Sequence, residues 1–140
     1  MKRVLVVDDE PMIRQLVSDF LVEAGYVVTS ASNGSEALRT MSEHRPQAIV
    51  LDLMMPTLDA TGFVELMRLN PRYARIPVII MTAAYNAGEE AARLGAQACV
   101  TKPFELEDLV DTVARLIGRV DRAPLPTTTR ALARDTLIDA

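Results

Sequence analysis

The chain predicts an α/β domain built on a parallel sheet with helices on both faces. Three observations carry this. Strand-like and helix-like segments alternate five times between residues 2 and 118. The strand-like segments are apolar throughout rather than alternating, as burial on both faces requires. Four of them run directly into polar residues: Asp8-Asp9-Glu10, Asp52, Thr82 and Thr101-Lys102-Pro103. In an open α/β sheet the C-terminal strand edge is where ligands bind.

The elements follow in order. Residues 2–7 form the first strand. Ile13, Leu16, Val17, Phe20 and Leu21 then mark one helical face, with Pro11 in the first turn and Ala24-Gly25 at the stop. Val27 to Ala31 is the second strand. Asn33-Gly34-Ser35 is a turn, and Ser35 is the expected cap of a short helix carrying Ala37, Leu38 and Met41 that ends before Pro46. Ala48 to Leu51 is the third strand. Phe63, Leu66 and Met67 mark a third helix, stopping near Asn70-Pro71. Ile76 to Met81, the most apolar strand, is expected at the centre of the sheet. A weakly apolar helix from Ala87 to Leu94 ends at Gly95, and Gln97 to Val100 is the fifth strand. Leu106, Leu109, Val110, Val113, Leu116 and Ile117 mark the final helix, closed by Gly118. Strands alternating with such helices imply crossover connections and a parallel sheet.

Composition narrows the function classes. With 140 residues and 49 % hydrophobic content, one domain with a full core is expected. The chain has no tryptophan, so aliphatic residues must fill that core. A net charge of −4 argues against nucleic acid as the main partner. One cysteine, Cys99, excludes an internal disulfide and suits a reducing compartment. The apolar run before Asp8 is too short for a signal peptide or a membrane span. The expectation is a soluble cytoplasmic protein. Residues 1–118 are expected to form the domain. Residues 119–140 are expected to be a tail with no output domain: a Pro- and Thr-rich linker over 123–129, then a segment with helical spacing in Leu132, Thr136 and Leu137.

The strand-end residues carry the chemistry. One or two acids at a helix N-terminus are commonplace, because they meet the helix dipole. Three in succession after a buried strand, facing Asp52 at the end of another, are not. Like charges at close range are costly unless a cation neutralises them, and hard oxygen ligands with open positions suit Mg²⁺. A carboxylate beside such an ion can act as a nucleophile toward phosphorus, giving an acyl phosphate. Thr82 offers a hydroxyl to a phosphoryl oxygen. Lys102 offers an ammonium, with Pro103 constraining the loop that carries it.

Val6-Val7-Asp8-Asp9-Glu10, Leu51-Asp52-Leu53-Met54-Met55-Pro56, Met81-Thr82-Ala83 and Lys102-Pro103-Phe104 together resemble the receiver domain of two-component response regulators. The resemblance covers residues 1 to about 118. It implies a flavodoxin-like, doubly wound five-stranded parallel sheet in the order 2-1-3-4-5, with five helices. It implies Asp52 as phosphoacceptor, with Asp9, Asp52 and the Met54 carbonyl binding Mg²⁺ and Asp8 supporting the ion through water or a hydrogen bond. Thr82 and Lys102 would contact the phosphoryl group. The implied donor is a sensor histidine kinase or a histidine phosphotransfer protein, and the implied output is contact with a downstream protein target. Such a module is no enzyme beyond its own Mg²⁺-dependent phosphotransfer and autodephosphorylation. Direct DNA binding and membrane association are not expected, and the protein should be a monomer or weak dimer. The alternative is a receiver-like interaction module that works without phosphorylation.

The sequence departs from the receiver pattern at three places. Asp59-Ala60-Thr61-Gly62 stands where Asp-Gly or Asn-Gly is usual, so the loop over 57–62 is expected to be longer. Cys99 replaces the aromatic residue usual three positions before the lysine, and is expected to be a buried structural cysteine. Met54 and Ala84 are apolar where polar groups near the phosphoryl are frequent. Other phosphate-handling folds fit less well. A haloacid-dehalogenase-type phosphatase needs an acid at position 54, and a P-loop needs Gly-x-x-x-x-Gly-Lys. Flavodoxins need a flavin phosphate loop after the first strand, where this chain has acids.

Overall fold

The computed structural model describes residues 2–52, 60–82, 87–101 and 106–120, with the backbone alone for Thr82, Ala87, Glu90 and Thr101. The elements run β1 (Arg3–Val7), α1 (Pro11–Glu23), β2 (Val27–Ala31), α2 (Gly34–Glu43), β3 (Ala48–Asp52), α3 (Ala60–Leu69), β4 (Val78–Thr82), α4 (Ala87–Leu94), β5 (Ala98–Thr101) and α5 (Leu106–Ile117). All strand pairings are parallel, in the order β2-β1-β3-β4-β5. The order reverses between β1 and β3, which makes the gap at their C-terminal ends the topological switch point.

The uniform apolarity of the strands is explained by two cores, one on each face. Leu5, Val7, Ile49, Leu51, Val78 and Ile80 pack with α2, α3 and α4 through Ala37, Met41, Phe63, Val64, Met67 and Ala91. Val4, Val6, Val50, Ile79 and Met81 pack with α1 and α5 through Val17, Phe20, Leu21, Leu109 and Val113. Alternate residues of one strand serve opposite cores, as strand geometry dictates. Among the described residues no helix is long and apolar enough to cross a membrane.

Three helices stop where glycine is expected. Gly25, Gly95 and Gly118 have φ of 104°, 73° and 91°, a backbone region that side-chain-bearing residues rarely adopt. Four expectations need correction. The cap of α2 is Asn33, not Ser35: the Asn33 side chain accepts from the Glu36 N–H at 2.9 Å, and the helix begins at Gly34. The apolar strand β4 is interior but next to the edge strand, and β3 holds the centre. Both are apolar for the same reason, burial on two faces, so apolarity could not rank them. Leu66 is 48 % exposed; the inward stripe of α3 is Ala60, Phe63, Val64 and Met67, and at 100° per residue Leu66 falls on its flank. Residues 60–62, expected in the longer loop over 57–62, are instead the first residues of α3, because Ala60 already packs into the core. Beyond the end of α5, contacts with the side of the first two strands continue. Tyr26 Oη donates to the Gly118 carbonyl at 2.8 Å, Lys2 Nζ donates to the Arg119 carbonyl at 3.2 Å, and Val120 packs on the α1–α5 side. Burial raises the Tyr26 phenol above its ordinary value, against the pull of Arg119, so it remains a donor.

The N-terminal strand edge is closed by a device used twice. Gln47 and Gln97 each stand just before a strand. The Gln47 N–H donates to the Arg3 carbonyl at 2.8 Å, and its side-chain oxygen accepts from the Arg3 N–H at 2.8 Å. Gln97 does the same to Val78, at 3.0 and 2.7 Å. Each glutamine thus supplies the acceptor that the first N–H of the neighbouring strand would otherwise lack. Gln97→Ala should therefore destabilise the fold by about 1 kcal/mol. Urea unfolding checks this; an unchanged midpoint would show that water satisfies the Val78 amide equally well.

The same edge is tied by Arg68, at the end of α3. Its Nη1 donates to the carbonyls of Ala74 at 2.6 Å and Ile76 at 3.0 Å, and its Nη2 to that of Gly95 at 3.3 Å. One guanidinium fork thereby joins the approach to β4 and the turn after α4. Burial lowers the Arg68 pKa from its ordinary value.

Candidate functional site

The register places the acids side by side. Val7 of β1 pairs with Leu51 of β3, so Asp8 and Asp52 follow as neighbours at the switch point. Both lie at the ends of interior strands, and both are buried: Asp8 is 0 % exposed and Asp52 4 %. The Asp8 N–H continues the β1–β2 contact by donating to the Ala31 carbonyl at 3.1 Å. Asp9, one residue further on, is exposed. One carboxylate oxygen from each of Asp8, Asp9 and Asp52 lies within 4.8 Å of the others.

Two buried carboxylates with a third beside them are electrostatically costly as an all-acid group. The donor set consists of hard oxygens, with an exposed member on the open side. That chemistry fits Mg²⁺, which takes a few carboxylates and leaves its remaining positions to water and phosphate oxygens. The surrounding turn is ordered by hydrogen bonds. Asp8 Oδ1 accepts from the Glu10 N–H at 2.9 Å, and Arg14 Nη1 donates to the Asp8 carbonyl at 2.8 Å. The sequence reading did not identify Arg14. It lies within α1 among helix-face residues, and nothing in the local pattern says that its side chain turns back toward the strand end.

The remaining site residues are placed by register or fall outside the description. Asp52 pairs with Met81, so Thr82 stands one position beyond the residue opposite Asp52. Thr82 in turn pairs with Thr101, the residue before Lys102. The Thr82 side chain, Met54, Lys102, Pro103, Ala84, residues 57–59 of the expected longer loop and residues 121–140 lie outside the described residues. The structure thus brings Asp8, Asp9 and Asp52 together and puts Thr82 on the same sheet edge. Cys99, opposite Ile80, is a free thiol that is half-buried rather than fully enclosed, packed against the core on the α2–α3–α4 side.

Comparison with known proteins gives a consistent result. Residues 4–114 match the family model described as the response regulator receiver domain. The chain is 36 % identical over 124 residues to a probable transcriptional regulator, ycf27, of Porphyridium aerugineum, covering 87 % of this chain and 50 % of that protein. It thus spans about half the length of the first curated relatives it matches. The solved structure of Vibrio cholerae chemotaxis protein CheY4 is similar with a TM-score of 0.77 and 35 % identity, over 84 % of this chain and 99 % of that one. The response regulator TrrA of Thermotoga maritima, solved in complex with Mg(2+)-BeF, is similar with a TM-score of 0.75 and 32 % identity, over 84 % of this chain and all of that one.

Proposed function

The chain belongs to the response regulator receiver domain family, and on that premise we propose that it accepts a phosphoryl group on Asp52 and signals through phosphorylation-dependent contact with a protein target. The donor is a phosphohistidine on a sensor kinase or a phosphotransfer protein. The observation that carries this reading is the convergence of Asp8, Asp9 and Asp52 at the β1/β3 switch point, with Asp52 almost wholly buried at the end of the central strand.

Each residue then has a role. Asp9, Asp52 and the Met54 carbonyl would hold Mg²⁺, with Asp8 supporting it; the Mg²⁺–BeF complex of the similar TrrA supports that ion. When bound, Mg²⁺ offsets the charge of the carboxylates and of the incoming phosphoryl oxygens. An Asp52 carboxylate oxygen bonds to phosphorus as the P–N bond of the phosphohistidine breaks, and the bonding pair returns to the imidazole nitrogen. Thr82 donates its hydroxyl to a phosphoryl oxygen, and Lys102 pairs with another. The receiver unit spans residues 1–118, and 119–140 form a tail. The setting is cytoplasmic, and the protein is a monomer or weak dimer. The transcriptional role named for the longer ycf27 relative remains a property of that protein.

Incubation with a small-molecule phosphoryl donor and Mg²⁺ tests the reading. Intact mass should show one phosphoryl group per chain, and excess chelator present from the start should prevent its incorporation. No incorporation would favour the phosphorylation-independent interaction module. The lifetime of the acyl phosphate offers a further check. Hydrolysis needs an aligned water, and Met54 and Ala84 carry no side-chain group to align one. The Met54→Asn/Ala84→Glu double variant should therefore lose its phosphate faster than the wild type in a decay assay. Slower decay in the double variant would count against this.

A further inference from the structure

We propose that Arg14 is the positioning residue of the carboxylate cluster, acting on Asp9 through the main chain; the inference rests on the reading of the cluster as a Mg²⁺ site. Asp8 and Asp52 are buried, so packing constrains their direction. Asp9 is exposed, and packing cannot aim it. One of its carboxylate oxygens nevertheless lies within 4.8 Å of oxygens of the other two. Its aim must come from the backbone that carries it.

Both peptide groups flanking Asp9 are pinned. The carbonyl of the Asp8–Asp9 peptide accepts from Arg14 Nη1 at 2.8 Å. The N–H of the Asp9–Glu10 peptide donates to Asp8 Oδ1 at 2.9 Å. Fixing the two planes fixes φ and ψ of Asp9 and leaves only its side-chain rotamers free. Arg14 is anchored in turn, because its own N–H donates to the Glu10 carbonyl at 2.9 Å. A single residue therefore closes the β1–α1 turn twice, by main chain to Glu10 and by side chain to Asp8. The Asp8 carbonyl lies past the last β1–β3 register pair, and the guanidinium donates to it there.

A rival role for Arg14 predicts the opposite sign. Its positive charge, held at the Asp8 carbonyl, would offset repulsion within the cluster and compete with a cation. If charge were its whole role, removing Arg14 would strengthen Mg²⁺ binding. If it positions Asp9, removal weakens binding, as loss of supporting hydrogen bonds around metal ligands generally does.

The test is a Mg²⁺ titration of the full chain by calorimetry, with amide exchange of Glu10 measured in metal-free protein. Arg14→Met keeps the apolar stem and removes the donors. It should lower Mg²⁺ affinity by about tenfold and speed Glu10 exchange. Arg14→Lys keeps the charge and one donor and should fall between Arg14→Met and the wild type. Asp9→Asn should cost much less affinity in the Arg14→Met background than alone, because both act through one carboxylate. Affinity unchanged or increased in Arg14→Met, or effects of the two substitutions that simply add, would overturn the proposal. If Arg14→Met does not fold, Arg14→Lys decides: weaker binding supports positioning, and wild-type affinity refutes it. Wild-type protein that does not bind Mg²⁺ would sink the functional reading instead. Glu10 exchange in metal-free Arg14→Met would then still decide whether Arg14 holds the turn.

Discussion

Asp52→Asn protein incubated with a phosphoryl donor and Mg²⁺ should take up no phosphate under conditions that label the wild type fully. The substitution is nearly isosteric, so the environment at the end of β3 should survive it. What changes is the nucleophile, since a neutral amide oxygen does not form the acyl phosphate that a carboxylate does. The neighbouring acids are poor substitutes. Asp8 is fully buried and engaged with the Glu10 N–H. Asp9 is exposed and lies outside the strand. Intact-mass analysis after donor treatment checks the outcome. Labelling that persists in Asp52→Asn, or that proceeds in excess chelator, removes Asp52 from its assigned role.

Magnesium should stabilise the protein, and Asp9→Ala should cancel that effect without loss of the fold. A ligand that binds the native state alone adds RT ln(1 + [L]/Kd), about 2.7 kcal/mol at a hundredfold excess over Kd. For a domain of this size that is a rise of roughly 10 °C in Tm. Asp9 is the member of the cluster whose removal leaves no buried cavity, because it is exposed. Its loss also relieves repulsion among three like charges. The metal-free Asp9→Ala protein should therefore be as stable as the wild type or slightly more so, with a Tm that no longer responds to Mg²⁺. Asp8→Ala should keep more of the response, if its support of the ion is indirect. Thermal unfolding with and without the ion measures all of this. Equal Mg²⁺-induced shifts in wild type and Asp9→Ala would reject Asp9 as a ligand.

Much of the architecture was legible in the local sequence. Strands β1, β3 and β4 could be read because burial on two faces leaves no polar alternation. The ends of α1, α4 and α5 could be read because Gly25, Gly95 and Gly118 adopt positive φ. The acids were legible because carboxylates directly after buried strands have few purely structural uses. Strand order was not in the local pattern; it came from the resemblance of four short motifs to receivers, and the observed sheet has that order.

Tertiary structure decided the rest, and the physical reason recurs. Asn33 and Ser35 are both good caps by residue type, and the choice depends on which oxygen reaches the Glu36 N–H once Gly34 has entered the helix. Leu66 and Val64 are both apolar, and the azimuth of α3 against the sheet selects Val64. Cys99 sits in a strand whose edge position leaves it half-covered. Arg14 and Arg68 read locally as helix-surface cations. Their work is to reach main-chain carbonyls that folding brings within range: that of Asp8 for one, and those of Ala74, Ile76 and Gly95 for the other. A carbonyl is the same in every residue, so no side-chain pattern records which one a distant donor will meet. By itself the sequence determined the element types and the acids at the strand ends. Only the three-dimensional path of the chain decided which backbone groups hold those acids in place.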